Sequence, residues 1–138
     1  TETDRAICVI DLDTVMPGAS AYDFGDAVRS GASTAEEDEE DLDKVSLDLG
    51  LYEKFTQGFL EGTGGLLTDK EVDILPLGAQ IMTIELASRF LADYLDGDVY
   101  FKTTKPEHNL IRARTQIRLA QDMLRKRADM ERIVQKYK

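Results

Sequence analysis

Apolar positions along the chain fall into one short dense run, one almost purely polar interval, and several stretches with helical spacing. The run is residues 6–10, Ala-Ile-Cys-Val-Ile, whose branched side chains predict a buried or half-buried strand. Pro17 and Gly18 punctuate the segment after it, and "YDFGDAVRS" at 22–30 leads from a loop into a short helix. Residues 31–43 contain almost no apolar side chains and predict an exposed, partly mobile loop. Val45, Leu47 and Leu49 then alternate as in a short extended segment. Leu51, Tyr52, Phe55, Phe59 and Leu60 recur as the broad apolar stripe of a helix that Gly62, Gly64 and Gly65 end.

"TDKE" at 68–71 has the form of a capping box: Thr68 accepts from early amides and Glu71 bonds back. The helix it opens meets Pro76, which predicts a kink or a division into two segments. Beyond it, 77–95 is the most apolar helix of the chain. Ile81, Met82, Ile84, Leu86, Ala87, Phe90, Leu91, Tyr94 and Leu95 cover most of its circumference, which predicts packing on several sides until Gly97 stops it. Residues 100–104 read as extended. From Asn109 a further helix carries Leu110, Ala113, Ile117, Ala120 and Leu124 on one stripe, and continues or resumes through Met130, Ile133 and Val134. The expected fold is mainly α, with one short β element at its N-terminal edge. A strand at 6–10 cannot satisfy its backbone alone, and nothing upstream offers a partner, so the chain reads as part of a longer one.

Composition narrows the function classes. The chain has 138 residues, enough for one domain with its own core. Twenty-seven acidic residues against 17 basic ones leave a formal charge of −10, which argues against a nucleic-acid surface. Acid is concentrated at Glu36 to Asp43, whereas the stretch from Arg112 to Lys138 is basic. The single cysteine, Cys8, cannot form an internal bridge. Its apolar setting predicts an inert buried thiol and a reducing, cytoplasmic compartment. No window approaches the length of a membrane span and no signal peptide is visible.

Candidate chemistry gathers near the start. In "VIDLDTVMPG" at 9–18, Asp11 and Asp13 share a face if the strand period persists, and Asp23 and Asp26 follow closely. An aspartate at the end of a strand can simply cap the next turn. Alternatively, crowded carboxylates hold Mg²⁺, a hard ion that takes oxygen ligands and shares a substrate's phosphates; a general-acid pair for glycoside hydrolysis is a third option. Spacing alone does not separate these.

The run "VIDLDTVMPG…YDFGDAVR" resembles the metal-binding segment of the aminoglycoside phosphotransferase and choline kinase-like superfamily, closest to its N-acetylhexosamine 1-kinase branch. "SLDLGLYEKFTQGFLEG", "ELASRFLADYLDGDVYFK" and "PEHNLIRARTQIRLAQDM" are similar to the same branch, so the resemblance spans essentially the whole chain. It implies part of the helical C-terminal lobe of a protein-kinase-like fold: 1–30 a metal-binding strand and loop, 31–44 an acidic loop, 45–138 a helical subdomain. It implies an ATP- and Mg²⁺-dependent sugar kinase that phosphorylates a small hydroxylated acceptor, the anomeric hydroxyl of an N-acetylhexosamine. Asp11 matches the aspartate that places Mg²⁺ on the β- and γ-phosphates, and Asp13 the second acidic position of the site. "DFG" at 23–25 is then not the metal motif. Asp23 matches a structural residue tying down the next helix, with Asp26 and Arg29 its neighbours, spaced for a local ion pair.

The same resemblance places the catalytic-loop aspartate, the metal-completing asparagine and the nucleotide-binding lobe upstream of Cys8. This polypeptide alone is therefore expected to be inactive, its chief partners the missing N-terminal lobe of the same polypeptide and a small sugar. On the acceptor side, Arg89 lies within the most apolar helix, where an unpaired guanidinium is expensive. It either pairs with Glu85 or faces the acceptor cleft and bonds sugar hydroxyls. Tyr100 and Phe101 either stack on a sugar or pack the returning chain, and His108 and Asn109 read as local structure with Asn109 an N-cap. Arg112, Arg114 and Arg118 either bind acidic groups or are solvated. Some relatives carry the label mucin-desulfatase, but Cys8 is followed by Val-Ile-Asp and lacks the Cys-x-Pro-x-Arg setting of a sulfatase nucleophile. The different-class alternative is a non-catalytic helical protein-interaction module, whose exposed apolar flank would look the same as one left by a missing lobe.

Overall fold

The computed structural model describes residues 8–10, 12 and 15–138. Among them the chain forms six α-helices: α1 (Ser20–Gly31), α2 (Leu49–Thr63), α3 (Asp69–Asp73), α4 (Leu75–Leu95), α5 (His108–Arg125) and α6 (Arg127–Tyr137). A single 3-10 turn, Leu42–Lys44, interrupts the long α1–α2 connection. The fold is mainly helical, as the periodicity predicts. No described helix is long and apolar enough to cross a membrane.

Local chemistry sets the helix ends. Asp48 caps α2 by accepting from the amides of Gly50 and Leu51, and Gly64 closes it in the left-handed region at φ 58°. The Thr68–Glu71 capping box forms in full and starts α3. Pro76 falls in the first turn of α4, where its missing N–H costs nothing, so the proline marks the start of a new helix after α3. The C-terminal helix breaks at Lys126 and resumes as α6.

Helix α4 is the centre of the domain, with α1 on one side and α5 on another. Its crossing with α1 is glycine on glycine. A Cβ on Gly25 would lie 2.5 Å from the carbonyl oxygen of Gly78, and one on Gly78 would strike the backbone of Ala21. "YDFGD" therefore has a packing role: Phe24 is fully buried with its ring centroid 5.8 Å from that of Tyr52 and 5.2 Å from that of Phe59, while Gly25 lets the backbones approach. Helices α2 and α6 pack together beneath, contributing Tyr52, Met130 and Val134 to the same core as Leu47, Leu75, Leu119 and Met123.

The α1–α2 connection departs from the expected mobile loop. Ser33 and Leu47 form an isolated antiparallel bridge, Thr34 N–H donates to Ser46 O at 2.9 Å, and Asp48 N–H donates to Ala32 O at 2.8 Å. Its acid is then pinned by side-chain donors from the rest of the fold. Lys105 donates to Glu40 at 3.0 Å, His108 Nε2 lies 3.1 Å from Asp38, and Arg29 reaches Glu37 at 3.3 Å. The His108 Nδ1 accepts from Thr104 N–H, so Nε2 carries the proton and donates to Asp38. The anchor at the far end is Asp122 on α5. It accepts from Ser46 Oγ at 2.7 Å and Leu47 N–H at 2.9 Å, and pairs with Lys126 at 2.8 Å.

Two apolar expectations are overturned. Residues 8–10 form no strand, and Cys8, Val9 and Ile10 are exposed, Ile10 by 78%. The buried-thiol reading of Cys8 fails with the strand, because no ladder partner exists among the described residues; Ala6 and Ile7 lie outside them. Nor is α4 packed all round. Leu77, Ile81 and Ile84, facing Ile117 and Leu124 of α5, line an open apolar groove of about 360 Å³. On α5 the stripe read from periodicity is rotated: Leu119 and Met123 enter the core in place of Ile117 and Leu124.

Candidate functional site

The expected metal ligands Asp11 and Asp13 lie outside the described residues. Among the described ones, no group of three or more His, Cys, Asp or Glu side chains is placed to hold a metal ion. Asp23 sits exposed in the first turn of α1, a favourable place for a carboxylate near the positive helix end, with no side-chain hydrogen bond to another described residue. Arg29 donates to Asp26 at 2.8 and 3.0 Å, the i,i+3 pair read from the spacing. Its contact with Glu37 extends that pair to the acidic loop.

An opening of ligand size lies at the C-terminal end of α4 and the turn that follows it. Arg89 pairs with Glu85 at 3.8 Å, as the i,i+4 spacing predicts, but its side chain is 46% exposed and so escapes the burial penalty expected in this helix. The guanidinium carbon lies 5.6 Å from the centroid of the Tyr100 ring and 5.4 Å from that of Phe101, with Nη2 at 3.5 Å from the Tyr100 hydroxyl. Cations over aromatic faces at this range gain about 0.5–1 kcal/mol at exposed sites. Phe101 is the packed member of the aromatic pair, with a ring centroid 4.6 Å from that of Phe90, while Tyr100 stands 73% exposed. Arg89, Ala92, Asp93, Asp96, Val99, Tyr100 and Phe101 line a cleft of about 320 Å³. It is a shallow opening, wide to solvent, with a volume at the small end of the ligand-site range of about 300–1,000 Å³.

Underneath is a network not read from the sequence. Asp93, 5% exposed, accepts from the amides of Val99 (3.0 Å) and Tyr100 (2.7 Å) on Oδ1, and from Phe101 N–H (2.9 Å) and Asn109 Nδ2 (2.8 Å) on Oδ2. Burial alone would raise its carboxyl, but these donors hold it below the usual aspartate range. Asn109 also donates to Asp98 and accepts from Arg112, whose guanidinium lies over Phe90. Asn109 is therefore inside α5 as a buried bracket between helices, and the helix begins instead after Glu107 in the left-handed region. The available signal for Asp93 was an acid inside an apolar helical run with no basic residue within one turn after it. His108 is structural, as expected, while Arg112 braces this network and the acidic loop together.

Chemically, the cleft combines N–H donors on a rigid cation, the carboxylate of Asp96, and an exposed aromatic face. That combination suits a neutral polyhydroxylated molecule: donors and acceptors for hydroxyls, a ring for C–H faces. Compared with models of known protein families, the chain matches none.

Proposed function

We propose that this chain is the acceptor-side portion of an ATP- and Mg²⁺-dependent sugar kinase of the aminoglycoside phosphotransferase and choline kinase-like type, working in the cytoplasm. The acceptor is an N-acetylhexosamine phosphorylated at its anomeric hydroxyl. The observation that carries the reading is the Arg89 guanidinium set against Tyr100 and Phe101 at the mouth of a cleft of about 320 Å³. There Arg89 donates to sugar hydroxyls while the exposed Tyr100 ring lies against a sugar face. In this reading Asp11, with Asp13, holds Mg²⁺, which neutralises charge on the ATP phosphates as the γ-phosphoryl group transfers. Phosphoryl transfer depends on positioning and charge neutralisation together, so the acceptor wall and one metal segment do not suffice, and this polypeptide alone is inactive.

The missing catalytic and nucleotide-binding parts are supplied by the N-terminal lobe of the same polypeptide. Two exposed apolar regions support that reading: the residues around Asp11 (Val9, Ile10, Leu12, Val15, Met16) and the α4–α5 groove. The groove also favours the second reading, a helical interaction module with no catalysis, because an uncovered apolar surface serves either purpose.

The test is phosphate transfer from ATP with Mg²⁺ to a panel of sugars, by a polypeptide that carries the upstream sequence. An N-acetylhexosamine is expected as the best acceptor. Asp11→Asn is expected to lower kcat by about a thousand-fold or more, and Arg89→Ala to raise the sugar KM about ten-fold or more. Transfer to no sugar removes the kinase reading and leaves the interaction module.

A further inference from the structure

We infer that Asp93 and Asn109 are positioning residues for the acceptor cleft: they lock the turn from Gly97 to Phe101 so that Tyr100 and Phe101 hold the Arg89 guanidinium toward the opening. The inference rests on the acceptor role proposed for Arg89, and adds the device that makes that role possible.

The turn has no regular ladder of its own. It passes through two consecutive left-handed residues, Gly97 at φ 93° and Asp98 at φ 60°, a conformation that a free five-residue segment rarely keeps. Backbone bonds close its first half, Gly97 N–H to Tyr94 O at 3.2 Å and Asp98 N–H to Asp93 O at 2.8 Å, and one buried carboxylate orders the rest. Three successive amides, those of Val99, Tyr100 and Phe101, converge on the two oxygens of Asp93, and the fourth donor is the buried amide of Asn109 from α5. Asn109 closes the ring by donating to Asp98 as well, so both ends of the turn are held by groups on rigid helices. Three successive amides fixed on one carboxylate fix the backbone directions of residues 99–101, and with them the side-chain exits of the two aromatic residues. Tyr100 and Phe101 emerge from this anchored stretch, their rings in edge contact at 4.8 Å, and form the seat for Arg89. Arg89 is one helical turn before Asp93 on α4, so clamp and cation share one rigid support.

Asp93→Asn is the discriminating change. It keeps the side-chain volume but replaces one oxygen, which accepts two N–H groups, with an NH₂, setting donors against donors. In the 138-residue chain, the expected result is that the Arg89 Nε–H and Tyr100 ring resonances move toward those of an unstructured peptide while helical circular dichroism is retained. Unmoved resonances overturn the inference. If the variant does not fold, amide exchange in the unmodified chain decides. Val99, Tyr100 and Phe101 are expected to be protected about a hundred-fold or more despite lying in a surface turn, and unprotected exchange overturns the clamp.

In the polypeptide carrying the upstream sequence, Asp93→Asn is expected to raise the sugar KM about ten-fold with kcat within about two-fold. Combining it with Arg89→Ala adds nothing beyond Arg89→Ala alone, because one residue acts through the other. Full additivity overturns the positioning role. If the unmodified polypeptide transfers phosphate to no sugar, the acceptor reading is lost, while the resonance and exchange measurements still decide the clamp.

Discussion

Asp122 gives the sharpest stability prediction. It is 6% exposed and holds the end of the acidic connection to α5 through Ser46 Oγ, Leu47 N–H and Lys126, with Arg125 on the outside. Truncation to alanine leaves the buried Leu47 amide without an acceptor, which costs about 1–3 kcal/mol. It also removes the carboxylate from a half-buried Lys126, where breaking a fully buried pair costs about 3–5 kcal/mol. Lys126 keeps Ser46 Oγ and Leu47 O as partners, so the lower ends of both ranges apply, and Asp122→Ala is expected to cost about 4 kcal/mol. The Arg125 pair is exposed and adds little. At about 2.1 cal/mol/K of unfolding entropy per residue, a chain of 138 residues loses about 14 °C of Tm for that cost. Asp122→Asn, which still accepts from Leu47, is expected to lose about half as much.

The pH dependence follows from the same contacts. Burial raises the Asp122 carboxyl, but Lys126, the Leu47 amide, Ser46 and Arg125 together hold it far below the ordinary aspartate value. As pH falls below about 4, the unfolded chain takes up a proton that the folded chain refuses, so stability drops with falling pH. The gap between wild type and Asp122→Asn is therefore flat above about pH 5, and narrows steadily below about pH 4. Urea unfolding followed by circular dichroism from pH 7 to pH 2.5 measures it. An Asp122→Ala variant within about 1 kcal/mol of wild type, or a gap that widens in acid, refutes the reasoning.

Four further outcomes are expected. Gly78→Ala, which drives a methyl group into the Ala21 backbone, should cost about 2–3 kcal/mol. Gly58→Ala, on a helix face with nothing nearby, should add about 0.5–1 kcal/mol, both read by thermal unfolding. Cys8 should react with a thiol reagent at the rate of an exposed peptide thiol in the 138-residue chain, and should be protected in the polypeptide with upstream sequence if that restores the strand. Leu77→Glu with Ile81→Glu should change the stability of this chain by no more than about 1 kcal/mol. If the N-terminal lobe covers the groove, the longer polypeptide should lose about 3 kcal/mol or more.

Helix positions and several helix ends were legible from residue order alone because their causes are local; the start of α5, read at Asn109 as a cap, was not. Thr68 and Glu71, Gly64 and Pro76 act within a turn or two of themselves, and the division between α3 and α4 needs nothing from elsewhere. The Glu85–Arg89 and Asp26–Arg29 pairs were legible for the same reason, being fixed by helical periodicity. Which apolar face is covered is not a local property. Periodicity placed apolar residues on several sides of α4 and along α5, but only the arrangement of α1, α4 and α5 decided that Leu119 is buried while Ile117, Leu124 and Ile81 line an open groove. The roles of Asp93 and Asp122 were not legible for a related reason. Each acquires its meaning from amides that loops bring to it, and a carboxylate's donors are chosen by where the chain returns in space. Sequence by itself determined the helices and the charge they carry; tertiary structure decided which of those charges became anchors, because burial and convergence of N–H groups exist only after the helices have packed.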